Sequence, residues 1–256
     1  MKGVILAGGT GSRLDPLTRI TNKHLLPVYT KPMIYYSIET LVNAGITDIM
    51  VVTGGNHAGE FLRLLGDGRE LGVKRLSYAY QARAGGIAEA LGLTESFVDG
   101  DKFLVMLGDN LLEYSIEESV ENFQRQERGA RVLLKKMEDP SHLRHLGVPV
   151  FENGRIVAIK EKPLEPPSPY AVIGVYMYDA NVFDIVKTLE PSGRGELEIT
   201  DVNNAYIARG EMEHDAIEGF WGDAGESIEV YYEIIDFVRA NGVNKKSKAP
   251  STAGVA

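Results

Sequence analysis

Hydrophobic and polar positions along the chain follow two alternating patterns. Short continuous apolar runs predict buried strands, and between them apolar residues recur every three or four positions, which is typical of amphipathic helices. The predicted strands are Lys2–Leu6, Asp48–Thr53, Arg75–Tyr80, Lys102–Leu107, Arg131–Lys136, Val148–Phe151, Arg155–Lys160 and Ala171–Tyr178. The predicted helices are Pro32–Ala44, His57–Leu65, Gly86–Phe97, Ser115 to about Arg128, Asn181–Leu189, Ile199–Arg209 and Ser227–Ala240.

This order of elements predicts an α/β fold with a mixed, mostly parallel central sheet that is flanked by helices. In such sheets, ligands bind at the carboxyl ends of the strands. Three polar segments that contain glycine follow predicted strand ends, and we expect them to lie close together: Gly8–Arg13, Gly108–Asn110 and Gly222–Gly225. We expect residues 1–242 to form a single domain and residues 243–256 to form a disordered tail, because the final stretch lacks apolar periodicity.

Composition narrows the possible classes of function. The net charge of −9 over 256 residues argues against nucleic acid or an anionic membrane as a partner. The chain contains no Cys, which excludes disulfides, thiolate nucleophiles and Cys-ligated zinc. The opening apolar run is too short for a signal peptide, and no run approaches the ~20 residues of a membrane helix. We therefore expect a cytoplasmic protein whose partners are small molecules.

The most informative segment is the loop Gly8–Arg13, which directly follows the first predicted strand. Its glycines are Gly8, Gly9 and Gly11. Glycines let backbone N–H groups approach a ligand closely and form a nest for phosphate oxygens. The loop lacks the third glycine of the dinucleotide fingerprint and the Gly-Lys-Ser/Thr of the Walker A loop. Arg13, with Lys23 further on, favours a phosphate site over a plain turn with solvated cations.

Two aspartates follow other predicted strand ends. Asp109 comes directly after Gly108, and Asp223 stands within the segment Trp221–Gly225. Hard cations such as Mg²⁺ bind carboxylates together with phosphate oxygens, so the two aspartates predict a metal site. Either aspartate alone would be better explained as a turn or helix-capping residue.

Together these segments resemble the sugar nucleotidyltransferases, and among them the thymidylyltransferases that act on glucose 1-phosphate. The resemblance runs from Met1 to about Asn241. The motifs that carry it are, in order, Gly8–Pro16, Lys23, Pro27, Lys31–Tyr36, Leu107–Asn110, Glu161–Pro163, Tyr170–Val172, Gly195–Asp201 and Trp221–Gly225. It implies a Rossmann-like nucleotidyltransferase fold and a Mg²⁺-dependent transfer of a thymidylyl group from dTTP to α-D-glucose 1-phosphate. The products would be dTDP-glucose and pyrophosphate.

The chemistry of that reaction is consistent with the residues present. The attacking phosphate oxygen is already ionised at neutral pH, so in-line attack needs neither a covalent nucleophile nor a general base. The protein has to position the two substrates, neutralise their charge and hold Mg²⁺. A chain without Cys and with only five His residues suits that task.

The resemblance also implies roles for individual residues. Arg13 and Lys23 would be catalytic, with Arg13 on the departing pyrophosphate and Lys23 bridging the phosphates. Asp109 and Asp223 would hold Mg²⁺. The implied nucleotide-binding residues are Gly8, Gly9, Gly11, Ser12, Gln81, Gly86 and Asn110. The implied sugar-phosphate-binding residues are Gly147, Glu161, Lys162, Val172 and Tyr176. Tyr176 by itself could equally be a core aromatic residue of a strand.

Two positions depart from the usual pattern of the family. Gly85 stands where Asp is usual, and His24 stands where Gln is usual. Both positions are expected near the nucleotide, so the same reaction with UTP or with another sugar 1-phosphate is the nearest alternative. A non-catalytic protein that binds nucleotide sugars is a second alternative, but it predicts loss of the charged residues, which are all present. A nicotinamide dehydrogenase is excluded, because the second strand ends in Val52–Gly55 without an acidic residue.

Relatives with longer chains carry an additional C-terminal helical segment that is tied to oligomer contacts and product feedback. This sequence stops soon after its last predicted helix, so we expect it to lack that regulatory site. The sequence does not determine whether the protein forms a homo-oligomer.

Overall fold

The computed structural model describes residues 1–246. Within them the strands are β1 (Lys2–Ala7), β2 (Pro27–Val28), β3 (Lys31–Pro32), β4 (Asp48–Gly54), β5 (Arg75–Gln81), β6 (Phe103–Leu107), β7 (Asn110–Leu112), β8 (Ala130–Lys136), β9 (Gly147–Glu152), β10 (Arg155–Glu161), β11 (Tyr170–Tyr178), β12 (Met212–Ala216) and β13 (Trp221–Asp223). The helices are α1 (Met33–Asn43), α2 (Ala58–Leu65), α3 (Ile87–Gly92), α4 (Glu95–Val98), α5 (Glu117–Arg125), α6 (Val182–Val186), α7 (Ile199–Ala208) and α8 (Ile228–Asn241).

The chain divides into two compact units, neither of which is contiguous in sequence. The first unit comprises Met1–Ala84, Val105–Glu117 and the described residues from Gly219 onwards. The second comprises Gly85–Leu104 and Glu118–Glu218. That residues 1–242 act as a single domain stays a prediction.

The sheet of the first unit has the strand order β6-β1-β4-β5. β1 pairs in parallel with β4, and β4 pairs in parallel with β5. β1 is buried from Gly3 to Ala7, as a strand covered on both faces requires. The N–H of Gly108, just after β6, donates to the carbonyl of Leu6 at 2.9 Å, so the loops that follow β1 and β6 begin side by side.

A second core of the first unit packs α1 and α8 against a short ribbon formed by β7 and β13. The two strands pair antiparallel, which sets Asp223 opposite Asn110. The buried residues of this core are Leu14, Leu26, Val28, Met33, Tyr36, Leu111, Ala224, Tyr231, Ile234 and Val238. The Tyr231 hydroxyl of α8 donates to the carbonyl of Pro27 at 2.5 Å, so its burial leaves no polar atom unsatisfied. The ribbon that carries Asp223 is therefore firmly anchored.

The second unit contains a mixed sheet with the order β10-β9-β11-β8-β12. Its strand pairs are antiparallel except for β12, which runs parallel to β8. Buried aromatic rings fill this unit, including Phe103 stacked on Phe183 and Tyr178 stacked on Tyr206. Val172 of β11 lies opposite Gly147 of β9.

The predicted α/β class is confirmed, with a mixed sheet and flanking helices. The predicted strands match the structure to within one residue at either end. The single helix predicted over residues 86–97 was wrong, because the chain turns after α3. There, the backbone and hydroxyl of Thr94 donate to the Leu91 carbonyl at 3.0 and 2.8 Å. β12 was not predicted, since its sequence MEHDA has no apolar run and becomes a strand only by pairing with β8.

The segment that follows α8 differs from the expected tail. Asn244 donates from its side-chain amide to the Tyr36 carbonyl at 3.0 Å, and its amide oxygen accepts from the Thr40 hydroxyl at 2.7 Å. Its backbone N–H donates to the Leu112 carbonyl at 2.9 Å. Residues 243–246 are thus anchored, and residues 247–256 of the expected tail lie outside the described residues. No helix within residues 1–246 combines the length and the apolar character needed to cross a membrane.

We expect Asn244→Ala to lower the free energy of unfolding by about 1–3 kcal/mol, because two side-chain hydrogen bonds in a partly buried site are lost. Urea denaturation measures this change. The control is Asn241→Ala, whose exposed side chain bonds only within α8. Equal stability of both variants would contradict the anchoring of this segment.

Candidate active site

The polar segments predicted to converge do so in the first unit. A β-carbon built on Gly225 would lie 2.6 Å from Nζ of Lys23 and 2.7 Å from Oδ2 of Asp109. The same point would lie 3.2 Å from Oδ1 of Asp223. A β-carbon on Gly9 would lie 3.3 Å from Cε of Lys23, so the Gly-rich loop borders the same cluster. The prediction of convergence is confirmed, and only glycine at position 225 leaves room for these three charged groups.

Asp109 is oriented by the strand ribbon on which it stands. Its side chain is almost fully buried, and Oδ1 accepts from the amide of Asn110 at 3.0 Å. The indole N–H of Trp221 holds the amide oxygen of Asn110 at 2.7 Å. Asn110, predicted to bind nucleotide, therefore supports Asp109 directly. The role of Trp221 was missed, although the motif around it was noted.

The charges in the cluster are strongly coupled. Burial opposes the charged form of Lys23, but the nearby carboxylates of Asp109 and Asp223 outweigh it and raise the pKa of Lys23. Burial likewise opposes ionisation of Asp109, yet its ion pair with Lys23 holds the pKa of Asp109 below its usual range. Burial and the charge of Asp109 raise the pKa of Asp223. The charge of Lys23 thus compensates the buried carboxylate of Asp109 more fully than the partly buried carboxylate of Asp223.

Arg13 and Ser12 lie at the exposed end of the Gly-rich loop, in the 3-10 turn Ser12–Leu14, which Leu14 anchors in the core. Arg13 is close enough that its positive charge partly opposes the rise in the pKa of both Lys23 and Asp223. Its guanidinium is therefore an exposed cation beside a buried acidic pair. That placement suits contact with an anionic ligand arriving from solvent.

Gln81 closes β5 and lies beside the start of the Gly-rich loop. Its side chain is buried, and a β-carbon on Gly8 would lie 2.8 Å from Oε1 of Gln81. Any larger residue at position 8 would displace this amide. The first unit therefore brings together the loop residues, Gln81, Asn110, the two aspartates and Lys23.

His24, which replaces the usual glutamine, is buried next to Lys23. Burial and the neighbouring charge of Lys23 lower the pKa of His24 to about 3, so the ring is neutral in the physiological range. Its Nδ1 lies 2.7 Å from Oδ1 of Asn22. Neither Asn22 nor this pairing was anticipated from the sequence.

The second unit brings together several of the residues predicted to bind the sugar phosphate. The carboxylate of Glu161, at the end of β10, accepts from the Thr200 hydroxyl at 2.6 Å. A β-carbon on Gly147 would lie 3.6 Å from that hydroxyl and 3.8 Å from Oε2 of Glu161. Gly147 is in turn the cross-strand partner of Val172. Thr200 was not singled out by the sequence analysis.

Two cations face Glu161. Nζ of Lys162 and a guanidinium nitrogen of Arg194 each lie 3.6 Å from Oε1 of Glu161. Lys162 has a φ of 46°, which is a strained backbone conformation for a residue other than glycine. Its N–H donates to the carbonyl of Leu146 at 3.0 Å, which helps to hold this conformation. Arg194 was not predicted from the sequence, because the family motif Gly195–Asp201 begins one residue after it. It is also paired with Glu198, whose carboxylate it contacts at 2.8 Å.

Tyr176 is a buried residue of β11 whose ring stacks on Tyr178, with 6.2 Å between the ring centres. This is the core position that the sequence left open as the alternative. A contact of Tyr176 with the sugar stays a prediction.

The Gly85–Gly86 pair includes one of the two departures from the family pattern. A β-carbon on Gly85 would lie 2.1 Å from the carboxylate of Glu89, so an aspartate at position 85 would displace the flexible end of that side chain. Gly86 has a φ of 98°, and a β-carbon there would lie 2.4 Å from the carbonyl of Leu197. The Leu197 backbone pairs with this segment, donating to the Gly85 carbonyl at 2.8 Å. Position 86 therefore requires glycine, whereas a side chain at position 85 requires only that Glu89 move.

The donor set of the first unit fits Mg²⁺. No three Asp, Glu or His side chains within residues 1–246 form a complete metal cage. Mg²⁺ typically takes one or two protein carboxylates and completes its shell with substrate phosphates and water. Asp109 and Asp223 supply two carboxylates around a gap that a single β-carbon would fill.

Comparison with known protein families shows which family the chain belongs to. The model of the nucleotidyl transferase family matches residues 2–241. The chain belongs to this family and is a nucleotidyltransferase. Curated relatives named glucose-1-phosphate thymidylyltransferase include one from Actinoplanes sp., 46% identical over 94% of this chain and 78% of that protein. Another, from Neisseria meningitidis, is 43% identical over 93% of this chain and 83% of that protein.

Solved structures agree with this assignment. A Bacillus anthracis protein, provisionally described as a glucose-1-phosphate thymidylyltransferase and solved with a sucrose, is 49% identical. It superposes with a TM-score of 0.88 over 93% of this chain and 95% of that one. A UDP-glucose pyrophosphorylase bound to UDP-glucose is 24% identical, with a TM-score of 0.82 over 93% and 98% of the two chains. At that identity the second likeness shows the fold alone.

We expect Gly225→Ala to lower kcat/KM about a hundredfold, because the new methyl group displaces Lys23 and both carboxylates from the geometry they share. Steady-state kinetics measure the loss, and urea denaturation shows whether the fold is kept. Gly59→Ala is the matched control, since nothing lies within 4 Å of its β-carbon. Full activity of Gly225→Ala would contradict the convergence of these groups.

Proposed function

We propose that this enzyme transfers a thymidylyl group from dTTP to α-D-glucose 1-phosphate and releases pyrophosphate. The family and the relatives support nucleotidyl transfer onto a sugar 1-phosphate. The choice of dTTP and glucose rests on the names of the curated relatives. The observation that carries the proposal is the cluster of Lys23, Asp109 and Asp223 beside a Gly-rich loop.

In the proposed reaction, an oxygen of the sugar phosphate attacks the α-phosphorus of the triphosphate in line with the departing group. A new P–O bond forms as the bond to pyrophosphate breaks, and pyrophosphate leaves with the bonding electrons. The attacking oxygen is already ionised, so no proton has to be removed. The catalytic task is then to bring two polyanions together and to stabilise the charge that moves onto pyrophosphate.

The first unit would bind the triphosphate. Backbone N–H groups of the Gly-rich loop and the exposed guanidinium of Arg13 would contact the β- and γ-phosphates. Lys23, whose backbone is fixed by a 3-10 turn, would bridge the phosphates. Mg²⁺, held by Asp109 and Asp223, would neutralise charge on the phosphate oxygens. The amide of Gln81 can donate to and accept from the edge of a pyrimidine base.

The second unit would bind the sugar phosphate. Lys162 supplies a positive charge beside Glu161 and would contact the phosphate, while Arg194 is shared between Glu161 and Glu198. Glu161 would accept hydrogen bonds from sugar hydroxyls, with Thr200 fixing its carboxylate. Gly147 leaves the space next to this carboxylate open.

The test is pyrophosphate release with Mg²⁺ for dTTP, UTP, CTP, ATP and GTP, each paired with a panel of sugar 1-phosphates. We expect the highest kcat/KM for dTTP with glucose 1-phosphate, and loss of turnover with EDTA or in Asp109→Asn. Asp184→Asn is the control, because that carboxylate is exposed in the second unit.

Faster turnover with UTP or another sugar would refute the substrate assignment and keep the reaction type. Retained activity in EDTA would refute the metal requirement. Absence of pyrophosphate from every pair would refute the enzymatic proposal and favour a non-catalytic nucleotide-sugar-binding protein.

Lys162→Met is expected to raise the KM for the sugar 1-phosphate about tenfold or more while leaving the KM for the nucleotide unchanged, because a charge-assisted phosphate contact is lost. Initial-rate kinetics with each substrate varied in turn measure the split. Lys160→Met provides the control, since Lys160 is exposed two residues earlier on β10. If both variants change the KM for the sugar 1-phosphate equally, Lys160 and Lys162 are merely solvent-exposed charges at the end of the strand and Lys162 has no specific phosphate contact.

A further inference from the structure

The carbonyl oxygens of the Gly-rich loop are tied to a short polar segment that follows it. The side-chain amide of Asn22 donates to the carbonyls of Ala7 and Gly9, each at 3.4 Å. The hydroxyl of Thr18 donates to the carbonyl of Gly11 at 2.9 Å. Alternate carbonyls along the loop are therefore engaged by protein donors.

The orientation of the Asn22 amide follows from its partners. The carbonyls of Ala7 and Gly9 can only accept, so the NH₂ group must face them. The amide oxygen then faces His24, where it accepts from the backbone N–H at 2.9 Å and lies 2.7 Å from Nδ1. Because an amide oxygen cannot donate, Nδ1 of His24 carries the hydrogen of this bond. Asn22 is therefore held by His24 on one side and holds the loop on the other.

The same two residues bracket Lys23. Asn22 caps the 3-10 turn Lys23–Leu25, which fixes the backbone from which the Lys23 side chain reaches Asp109. The ring of His24 also packs against the strand end before Asp109, since a β-carbon on Gly108 would lie 2.8 Å from its Cδ2. Asn22 and His24 are both almost completely buried, at 5% and 2% exposure. A ligand therefore has little access to either side chain.

We propose that Asn22 and His24 form a positioning pair for the triphosphate. The pair keeps the carbonyls of Ala7 and Gly9 turned away from the anionic ligand, so that N–H groups of the loop face it, and it fixes the backbone of Lys23. A carbonyl oxygen that faced a phosphate would repel it, so the bound form of the loop needs its carbonyls engaged elsewhere. This inference rests on the proposed binding of a nucleoside triphosphate by the first unit.

The role differs from that of a residue that contacts the nucleotide. Loss of the pair should weaken the binding of every ligand that contacts the Gly-rich loop. It should leave the binding of the sugar phosphate unchanged. Pyrophosphate, the proposed product, has no base and serves as the probe for the loop alone. The pair therefore predicts equal losses for dTTP and for pyrophosphate.

The experiment compares Asn22→Ala and His24→Phe with the wild type in Mg²⁺. His24→Phe keeps a planar ring and removes the Nδ1 donor. We expect each variant to raise the KM for dTTP and the inhibition constant of pyrophosphate by the same factor, about tenfold, with the KM for glucose 1-phosphate unchanged. His24→Asn places an amide nitrogen near the position of Nδ1, so it is expected to restore most of the affinity.

Thr40→Val is the stability control, because it removes a buried hydrogen-bonded hydroxyl of the first unit away from the loop. Urea denaturation of all the variants separates loss of stability from loss of affinity. The proposal is overturned if Asn22→Ala and His24→Phe lose stability as Thr40→Val does but keep the KM for dTTP. It is also overturned if the KM for dTTP and the KM for glucose 1-phosphate rise together, or if the inhibition constant of pyrophosphate stays unchanged.

Calorimetric titration of the wild type with dTTP and Mg²⁺ distinguishes failure of this inference from failure of the proposed function. A wild type that binds dTTP, with variants that bind it equally well, would refute the positioning pair alone. A wild type that binds no nucleoside triphosphate would refute the proposed function, and the pair's role would fall with it.

Discussion

Two carboxylates buried side by side repel each other, and the first unit keeps them together by placing the ammonium group of Lys23 against Asp109. Lys23 is the only cation paired with these acids in the described residues, so the cluster can accept further positive charge from a divalent cation. Much of the surrounding structure serves this arrangement. Gly225 leaves the space, Trp221 and Asn110 orient Asp109, and the α8 core anchors the ribbon.

The second unit surrounds its carboxylate with donors instead of with a second acid. Glu161 accepts from the Thr200 hydroxyl and lies near Lys162 and Arg194, of which Arg194 is also paired with Glu198. Such a group is well suited to accept from neutral sugar hydroxyls while its neighbours attract a phosphate. The proposed division of labour follows from this contrast: the first unit takes the triphosphate and the metal, and the second takes the sugar phosphate.

The two departures from the family pattern each have a local partner. The flexible end of Glu89 lies next to Gly85, and Asn22 provides the acceptor for the ring of His24. In both cases the unusual residue is consistent with its surroundings. Neither departure leaves a buried polar group without a partner, which is why they do not argue against an active site.

The sequence by itself determined eight of the described strands, the α/β class and the family, because apolar periodicity and the order of the motifs are local properties. It also indicated Arg13, Lys23, Asp109 and Asp223, because these residues occur together in segments that follow strand ends and that match the motifs of the family. Only the tertiary structure decided that Lys23 pairs with Asp109, that Arg194 and Thr200 join Glu161, and that MEHDA is a strand. These depend on residues far apart in the chain, or on pairing with a neighbouring strand, and no local pattern encodes such contacts.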